Sequence, residues 1–528
     1  MLPLSLNLHY YMVSKASVPA SAQRACYLKC QRSNLESPTH FDPSAELAKV
    51  EAEVERMTAV LANLLSKVHN LKAQINTAKS PFLGMLPAEL ITEIFLFCCE
   101  IPAPDDKPSE VDSFIPLKLG SVCTAFRTIA WSTPSLWSAV VLDIKSAWKI
   151  PSQSILLSDW LSRSGHLPLS IWLSSSEDVH WAFARPEPLF KVINAFSSRW
   201  RYVDIRLPSS CYRYLPPSNE LLPMLQSLTL KPPGGQGDRT HQIDICTAPL
   251  LKRISLQCLY LRSIKFAWDA LTILELESFY IDESLEMLHQ ASNLANLNLR
   301  RILGGDDSHL LPEEPIVHPS LRSLILVNDK PTDISPMLHK ITTPSLRELR
   351  FSADGITYAP SSPLIRLLSR SLCPLKTLSL SQCSIPGTEF KHLLSLVPSL
   401  EYLHLDMMIT PAYSTQPEIP LTDDIIQSCN PLVAQENKHT CLLPNLQVLS
   451  YRGIQRFCWT LLLQMIETRT TPLVTGQSNA ISLTRVAQLK EVNLHLIRFT
   501  EEEIPGAYPL NVPYCKAGLK FHLETGSL

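Results

Sequence analysis

The sequence predicts an α/β chain in three parts: a long N-terminal heptad helix, a small all-α unit, and an irregular solenoid of short strands and helices. Three observations carry this reading. Apolar residues repeat at alternating spacings of 3 and 4 over residues 47–75, two short helical patterns bounded by prolines follow, and the frame L-x-x-L-x-L then recurs at steps of 20–29 residues. A chain of 528 residues has room for about three or four ordinary domains or for one long repeat array.

Composition narrows the function classes. The 47 Lys+Arg and 49 Asp+Glu leave a formal charge of −2. With no basic block, this argues against a general nucleic-acid or anionic-membrane binder, since both need clustered positive charge. Hydrophobic residues make up 45 % of the chain, enough for a large core, yet no uninterrupted apolar run of about 18 residues is present to span a bilayer. Glycine is scarce at 15 residues against 42 prolines, so phosphate-cradling glycine loops are not expected. The 14 cysteines are scattered and form no C-x-x-C pair, which removes zinc ribbons and thioredoxin-type motifs. Cys26 and Cys30 stand at C-x3-C with no second ligand pair nearby, and Cys98 and Cys99 fall in an apolar helical stretch where buried, reduced thiols are expected. A cytoplasmic or nuclear location fits this cysteine usage. Residues 1–44 are expected to be a disordered N-terminus. Ala20-Ser21-Ala22 imitates a signal-cleavage site, but no basic segment precedes it, and Asn7, His9 and Tyr10 break the apolar stretch.

The heptad begins at Leu47. Leu47, Val54, Leu61, Val68 and Ile75 take the a positions and Val50, Met57, Leu64 and Leu71 the d positions. No proline or glycine interrupts residues 45–79, Asp42-Pro43-Ser44 supplies a helix start, and Ser80-Pro81 supplies the stop. Ala45–Lys79 is therefore expected to form one coiled-coil helix about 50 Å long. Two roles stay open for its stripe: packing on the chain's own body, or self-association or pairing with a partner coil. A stripe two residues in seven wide suits another helix better than a broad core.

The all-α unit, residues 80–140, opens on Leu86-Pro87-Ala88-Glu89-Leu90-Ile91-Thr92-Glu93-Ile94-Phe95. Proline in a first helical turn costs no hydrogen bond, and Leu90, Ile91, Ile94, Phe95 and Phe97 keep helical spacing. The linker Ile101–Ser113, with three prolines and four acidic residues, is no regular element. Helical pattern returns at Leu117, Leu119, Val122, Cys123, Phe126, Ile129 and Ala130 and ends at Thr133-Pro134-Ser135-Leu136-Trp137. These blocks resemble the F-box proteins, and more narrowly the F-box-like proteins abundant in mushroom-forming fungi. The matching text is Leu86-Pro87-x-Glu89-Leu90-Ile91-x-Glu93-Ile94-Phe95, then Leu119-Gly120-Ser121-Val122-Cys123-x-x-Phe126-Arg127-x-Ile129-Ala130, then Thr133-Pro134-x-Leu136-Trp137. Three separated blocks agree in order and spacing, and the upstream heptad helix is also similar to that group. Phe82-Leu83-Gly84-Met85 replaces the basic residues such proteins often carry before the Leu-Pro pair, and the acidic linker is long.

Residues 141–199 are expected to be a connecting region and residues 200–528 the solenoid. The frame L-x-x-L-x-L starts at Leu225, Leu251, Leu271, Leu294, Leu321, Leu346, Leu375 and Leu400, steps of 26, 20, 23, 27, 25, 29 and 25 residues. Weaker copies start at Trp200, Leu446 and Leu489, and the wider gaps around Leu446 mark insertions that include Thr410–Pro420. The last residues of each copy alternate, as in a strand with one buried face. Helical stretches such as Glu283–His289, Leu364–Leu372, Thr388–Val397 and Trp459–Thr468 lie between copies. Strand plus helix is the leucine-rich-repeat unit, which must stack on neighbours to bury its leucines. Only Cys383 matches the Asn or Cys that usually continues the frame, so an irregular arc without an asparagine ladder is expected.

Motifs of catalysis do not appear. There is no H-E-x-x-H, G-x-S-x-G or G-x4-G-K-[ST]. Gly234-Gly235-Gln236-Gly237 follows Lys231-Pro232-Pro233 and opens no helix, so it reads as a loop. Cys123 reads as core packing, since nothing nearby in sequence would lower its pKa. No catalytic residue, cofactor or metal is expected. The F-box resemblance implies a substrate-recognition subunit of a cullin-based ubiquitin ligase, binding a Skp-type adaptor and, through it, a cullin. On that resemblance the adaptor contacts should come from Leu86, Pro87, Leu90, Ile94, Val122 and Phe126, with Trp137 structural. The target protein, whose identity is unreadable, is expected on the concave strand face. There the third and fifth frame positions place Arg253, Ser255, Glu275, Asn296, Asn298, Glu348, Arg350, Tyr402, His404 and Glu491 together. Glu275, Arg350, Tyr402 and His404 are the leading candidates, against the alternative that this is merely a solvated face. The other function class is a non-catalytic scaffold in which coil and repeats assemble proteins without a ligase.

Overall fold

The computed structural model of the protein describes residues 42–79, 85–99, 114–175, 185–217, 219–233, 242–245, 247–305, 309–328, 332–353, 359–407, 421–436, 439–470, 486–497 and 518–526. Residues 1–41, which hold Cys26, Cys30 and all but the last three residues of the expected disordered N-terminus, the whole acidic linker Ile101–Ser113, the Gly234–Gly237 cluster and the Thr410–Pro420 loop lie outside these residues. The chain divides into two compact units, Met1–Met85 and Leu86–Leu528.

The described residues of the first unit centre on one helix, α1 (Pro43–Lys79), of 37 residues and about 55 Å. It starts two residues before the expected boundary, so Pro43 and Ser44 are helical. The carboxylate of Asp42 accepts the backbone N–H of Ser44 at 3.0 Å, and that bond holds its pKa below the ordinary value. All nine a and d side chains are exposed, from 45 % for Val68 to 60 % for Val54. Within this unit no other described residue covers the stripe.

The second unit begins with α2 (Ala88–Cys98), α3 (Ile115–Val122) and α4 (Thr124–Trp131). Pro87 precedes α2 in extended backbone, where its missing N–H costs nothing. The second helical pattern is two helices. Cys123 adopts φ −158° and ψ 170°, and its Sγ accepts from Phe126 N at 3.4 Å, so the residue is an N-cap. Gly120 makes this corner possible: a Cβ built there would overlap the Trp131 ring. Trp131 packs edge-on against Trp137 at 5.1 Å, Trp137 against Trp160 at 4.8 Å, and the Arg163 guanidinium lies 5.0 Å and 4.9 Å from the first two rings. Trp137 is fully buried and donates from Nε1 to Ala130 O at 2.8 Å. The helices are thereby fixed to α5 (Ile150–Arg163), which carries Trp160 and Arg163.

A 14-stranded parallel sheet follows in chain order. Its strands are β1 (Ala139–Ile144), β2 (Leu169–Ser175), β3 (Trp200–Arg206), β4 (Ser227–Leu230), β5 (Arg253–Gln257), β6 (Ile273–Glu277) and β7 (Asn296–Arg300). Then come β8 (Ser323–Asn328), β9 (Glu348–Ala353), β10 (Thr377–Ser381), β11 (Tyr402–Asp406), β12 (Val448–Ile454), β13 (Glu491–Ile497) and β14 (Lys520–Gly526). The second and third leucines of each frame fall opposite one another, as in Leu297↔Leu324↔Leu349↔Leu378↔Leu403↔Leu449, and each of these is at most 3 % exposed. Such side chains stabilise the unit by about 1.5–3 kcal/mol each relative to full exposure. The ladder starts earlier than the leucine frame. Val140 and Leu142 of β1 pair with Ile171 and Leu173 of β2 and continue into Val203 and Ile205. Residues 141–199 thus supply part of β1, all of β2, α5 and α6 (Glu187–Asn194) to the sheet unit.

Crossovers close the leucine face. Helices α7 (Ile281–Gln290), α8 (Ser335–His339), α9 (Ser361–Ser371) and α10 (Gly387–Ser395) lie between β6 and β11. The wide step to β12 holds α11 (Asp423–Ser428) and α12 (Pro431–Glu436), and α13 (Trp459–Thr470) precedes β13. Buried Arg469 of α13 ties that insertion down, donating to the carbonyls of Cys429 at 2.8 Å and of Leu442 and Leu443 at 3.0 Å. Several strands end in the same turn. Cys258, Ser278, Arg301 and Gln382 have φ between 49° and 60°, and their N–H groups donate to carbonyls of the next strand, as Ser278 N does to Arg300 O at 3.0 Å. None is glycine, which fits the scarcity of glycine in the chain.

Candidate functional site

Two exposed surfaces of the second unit carry the predicted contact residues. The first is on α2. Ile91 and Phe95 face the core at 2 % exposure, with Phe95 edge-on to Phe126 at 5.0 Å. Pro87, Leu90, Ile94 and Phe97 fall at spacings of 3, 4 and 3, one stripe of a helix, and this stripe faces outward. Leu90 is 50 % exposed and Phe97 85 %, while Ile94 is half-buried. Of the predicted adaptor residues, Pro87, Leu90 and Val122 are exposed, the last at 64 % at the end of α3. Leu86 and Ile94 are half-buried and available at their edges. Phe126 is half-buried against Phe95, so it supports the α2 helix as a packing residue. Sequence reasoning misses Phe97 as a surface residue and places it only in the helical periodicity. The signal was its 3-4-3 spacing from Pro87, obscured because apolar residues at 90, 91, 94, 95 and 97 define two candidate faces.

The second surface is the open face of the sheet. Register places Glu275, Asn298, Ile325, Arg350, Ser379 and His404 in one row across β6 to β11. At about 4.8 Å per strand, Arg350 and His404 stand about 10 Å apart and Glu275 about 15 Å from Arg350. Tyr402 is on the same strand face as His404; both are exposed, Tyr402 at 44 %. The Arg350 guanidinium binds the half-buried Glu348 carboxylate at 2.6 Å and is itself exposed on the same face as Tyr402 and His404, with one strand between them.

Glu275 is different. It binds Arg253 at 2.6 Å, accepts the Ser255 hydroxyl at 2.7 Å, and lies 3.9 Å from Lys231. Burial pushes its carboxyl up, but Ser255, Arg253 and Lys231 together outweigh burial and hold it below the ordinary range. Ser255 is only 2 % exposed because Glu275 covers it. Glu275 therefore joins three strands of this face, and Ser255 is removed from the expected contact set. Arg350, Tyr402 and His404 remain as the accessible group.

Among the described residues no cluster of His, Cys, Asp and Glu is arranged to hold a metal ion, and no helix is long and apolar enough to cross a membrane. The buried carboxylates of α7 serve its packing: Glu283 accepts Leu261 N at 2.9 Å and Asp282 accepts His309 N at 3.0 Å. Cysteines 211, 383 and 429 have thiols pushed up to about 12 by burial, and Cys99 to about 11. Of Cys98 and Cys99, both expected to be buried, Cys98 is exposed, as the last residue of α2 at the end of the Ile91/Phe95 face, and Cys99 is half-buried. No family model matches the chain, and no curated protein matches it.

Proposed function

We propose that this chain is the substrate-recognition subunit of a cullin-based ubiquitin ligase. Helices α2 to α4 act as an F-box that holds a Skp-type adaptor, and the sheet unit is a leucine-rich-repeat solenoid whose strand face receives the target protein. The observation that carries this reading is the Pro87/Leu90/Ile94/Phe97 stripe: exposed apolar side chains at helix-packing spacing, on a helix whose other face is anchored by Ile91 and Phe95. An apolar stripe of this kind suits helix-on-helix docking. The strand face supports the second half of the reading, since a mixed-charge surface with an exposed tyrosine fits selective protein recognition better than a phosphate or membrane surface. Catalysis then belongs to the partners, and this chain raises the effective concentration of target lysines near the charged ubiquitin conjugate.

The test is affinity purification of the full-length chain beside a Leu86→Ala/Pro87→Ala/Leu90→Ala variant. Point variants are required, because removing residues 81–140 would strip Trp137 and most of β1's first half from the core. Loss of adaptor and cullin with retention of other partners is the expected result. Recovery of partners with no adaptor or cullin from either protein would make the chain a scaffold.

A further inference from the structure

We infer that α1 pairs with α1 of a second copy of this chain, and that the two helices run antiparallel. The nine exposed a and d side chains, with Val60 and Leu65 beside them at 52 % and 51 % exposure, form a stripe along about 55 Å of helix. The residues flanking that stripe determine what can cover it. The e positions are Glu51, Thr58, Leu65 and Lys72, and the g positions Glu46, Glu53, Val60, Lys67 and Gln74. Acidic flanking groups therefore sit in the first half and basic ones in the second.

In a parallel pair each g residue meets the e residue of the next heptad in the other helix. Glu46 would face Glu51 and Lys67 would face Lys72, each twice by symmetry, while Glu53 would face Thr58 and Val60 would face Leu65. That arrangement has like-charge contacts and no complementary one. In an antiparallel pair g meets g and e meets e. Setting Leu47 against Leu71, Val50 against Val68, Val54 against Leu64 and Met57 against Leu61 places Glu53 beside Lys67 of the second copy, twice, and Val60 against Val60 on the two-fold axis. Sliding by one heptad keeps the a-to-d pairing and places Glu51 beside Lys72, again twice. Both antiparallel registers juxtapose opposite charges and neither makes a like-charge contact. Opposed helix dipoles act in the same direction. The charge pattern thus complements a second copy of itself only when reversed, which identifies both the occupant and its orientation.

The full-length chain is tested in two ways. In light scattering it is expected to be a dimer, and Leu61→Lys/Leu64→Lys a monomer. A monomeric wild-type chain would overturn the proposal. Orientation is read from spin labels carried on an unnatural amino acid at Ala45, an outward position. Antiparallel helices separate the two labels by about 40–50 Å along the axis, whereas a parallel pair holds them side by side within about 25 Å. The short distance would overturn the proposal. Charge inversion gives an independent readout. A variant combining Glu46→Lys, Glu51→Lys, Glu53→Lys, Lys67→Glu and Lys72→Glu should dimerise with itself. Mixed with wild type, it should form fewer heterodimers than random pairing gives. Heterodimers above the random fraction would mean parallel pairing.

Discussion

Substituting Leu90→Ala together with Phe97→Ala tests the proposed adaptor surface where its energetics are most separable from folding. Fully burying a leucine or phenylalanine side chain is worth about 1.5–3 kcal/mol. Leu90 has half of its surface to lose and Phe97 most of it, so the pair contributes about 1 plus 2 kcal/mol if both become buried in a complex. Removing them should weaken adaptor binding by about 2–3 kcal/mol, a 30- to 150-fold rise in Kd. Phe97 contributes little to the folded chain and Leu90 only through its buried half, so thermal stability should stay within about 1 kcal/mol of wild type. Phe95→Ala is the control. That ring is 2 % exposed and packs on Phe126, so its loss should cost about 3–5 kcal/mol of folding stability. The assay is isothermal titration calorimetry with a purified Skp-type adaptor, alongside thermal melts of each variant. Unchanged affinity in the Leu90/Phe97 variant would refute the assignment of this stripe, and a large loss of stability in that variant would refute the reading of the stripe as unpartnered.

Four further outcomes follow from the same structure. Changing Arg350, Tyr402 and His404 together to Ala should remove some co-purifying partners while leaving adaptor binding intact and stability within about 1 kcal/mol, because the three replaced side chains are themselves exposed; an unchanged partner set would move recognition off this face. Glu275 has a depressed pKa in the folded chain, so its contribution is present above the ordinary carboxylate value and is lost as pH falls below it. Stability of Glu275→Gln measured by melting between about pH 6 and pH 3 should therefore be lower than wild type at the upper end and fall less steeply. Gly120→Ala gains about 1 kcal/mol of helix propensity but forces the Trp131 ring off Trp137, so denaturant unfolding should show a net loss of about 1–2 kcal/mol. Thiol alkylation mapped by mass spectrometry should label exposed Cys98 and Cys458 in the native chain and spare Cys211, Cys383 and Cys429 until it unfolds.

How much could be read in advance depended on how redundantly each feature is encoded. The α1 helix was legible because nine apolar positions agree on one period with caps at both ends. The strands β4 to β13 were legible because the apolar positions of the frame recur in register, whereas β14 carries no copy of the frame that was read in advance. β1 and β2 were not, since Val140, Leu142, Ile171 and Leu173 alternate over a single short strand each, with Trp172 also buried between the last two. The break between α3 and α4 hangs on one residue, Cys123, whose thiol caps a helix that periodicity alone would continue. Outward register puts Arg350, Tyr402 and His404 on one face, where they are exposed, but it could not show that Glu275 spends its charge on Arg253 and Lys231 or that it covers Ser255. Such pairings run between strands roughly 20 to 45 residues apart in sequence and are set by stacking.

The most direct measurement is size-exclusion chromatography with light scattering on the purified full-length chain mixed with a Skp-type adaptor and its cullin. The account predicts one complex containing all three proteins, lost when Leu90 and Phe97 are replaced. Separate elution of a folded chain from adaptor and cullin would contradict it.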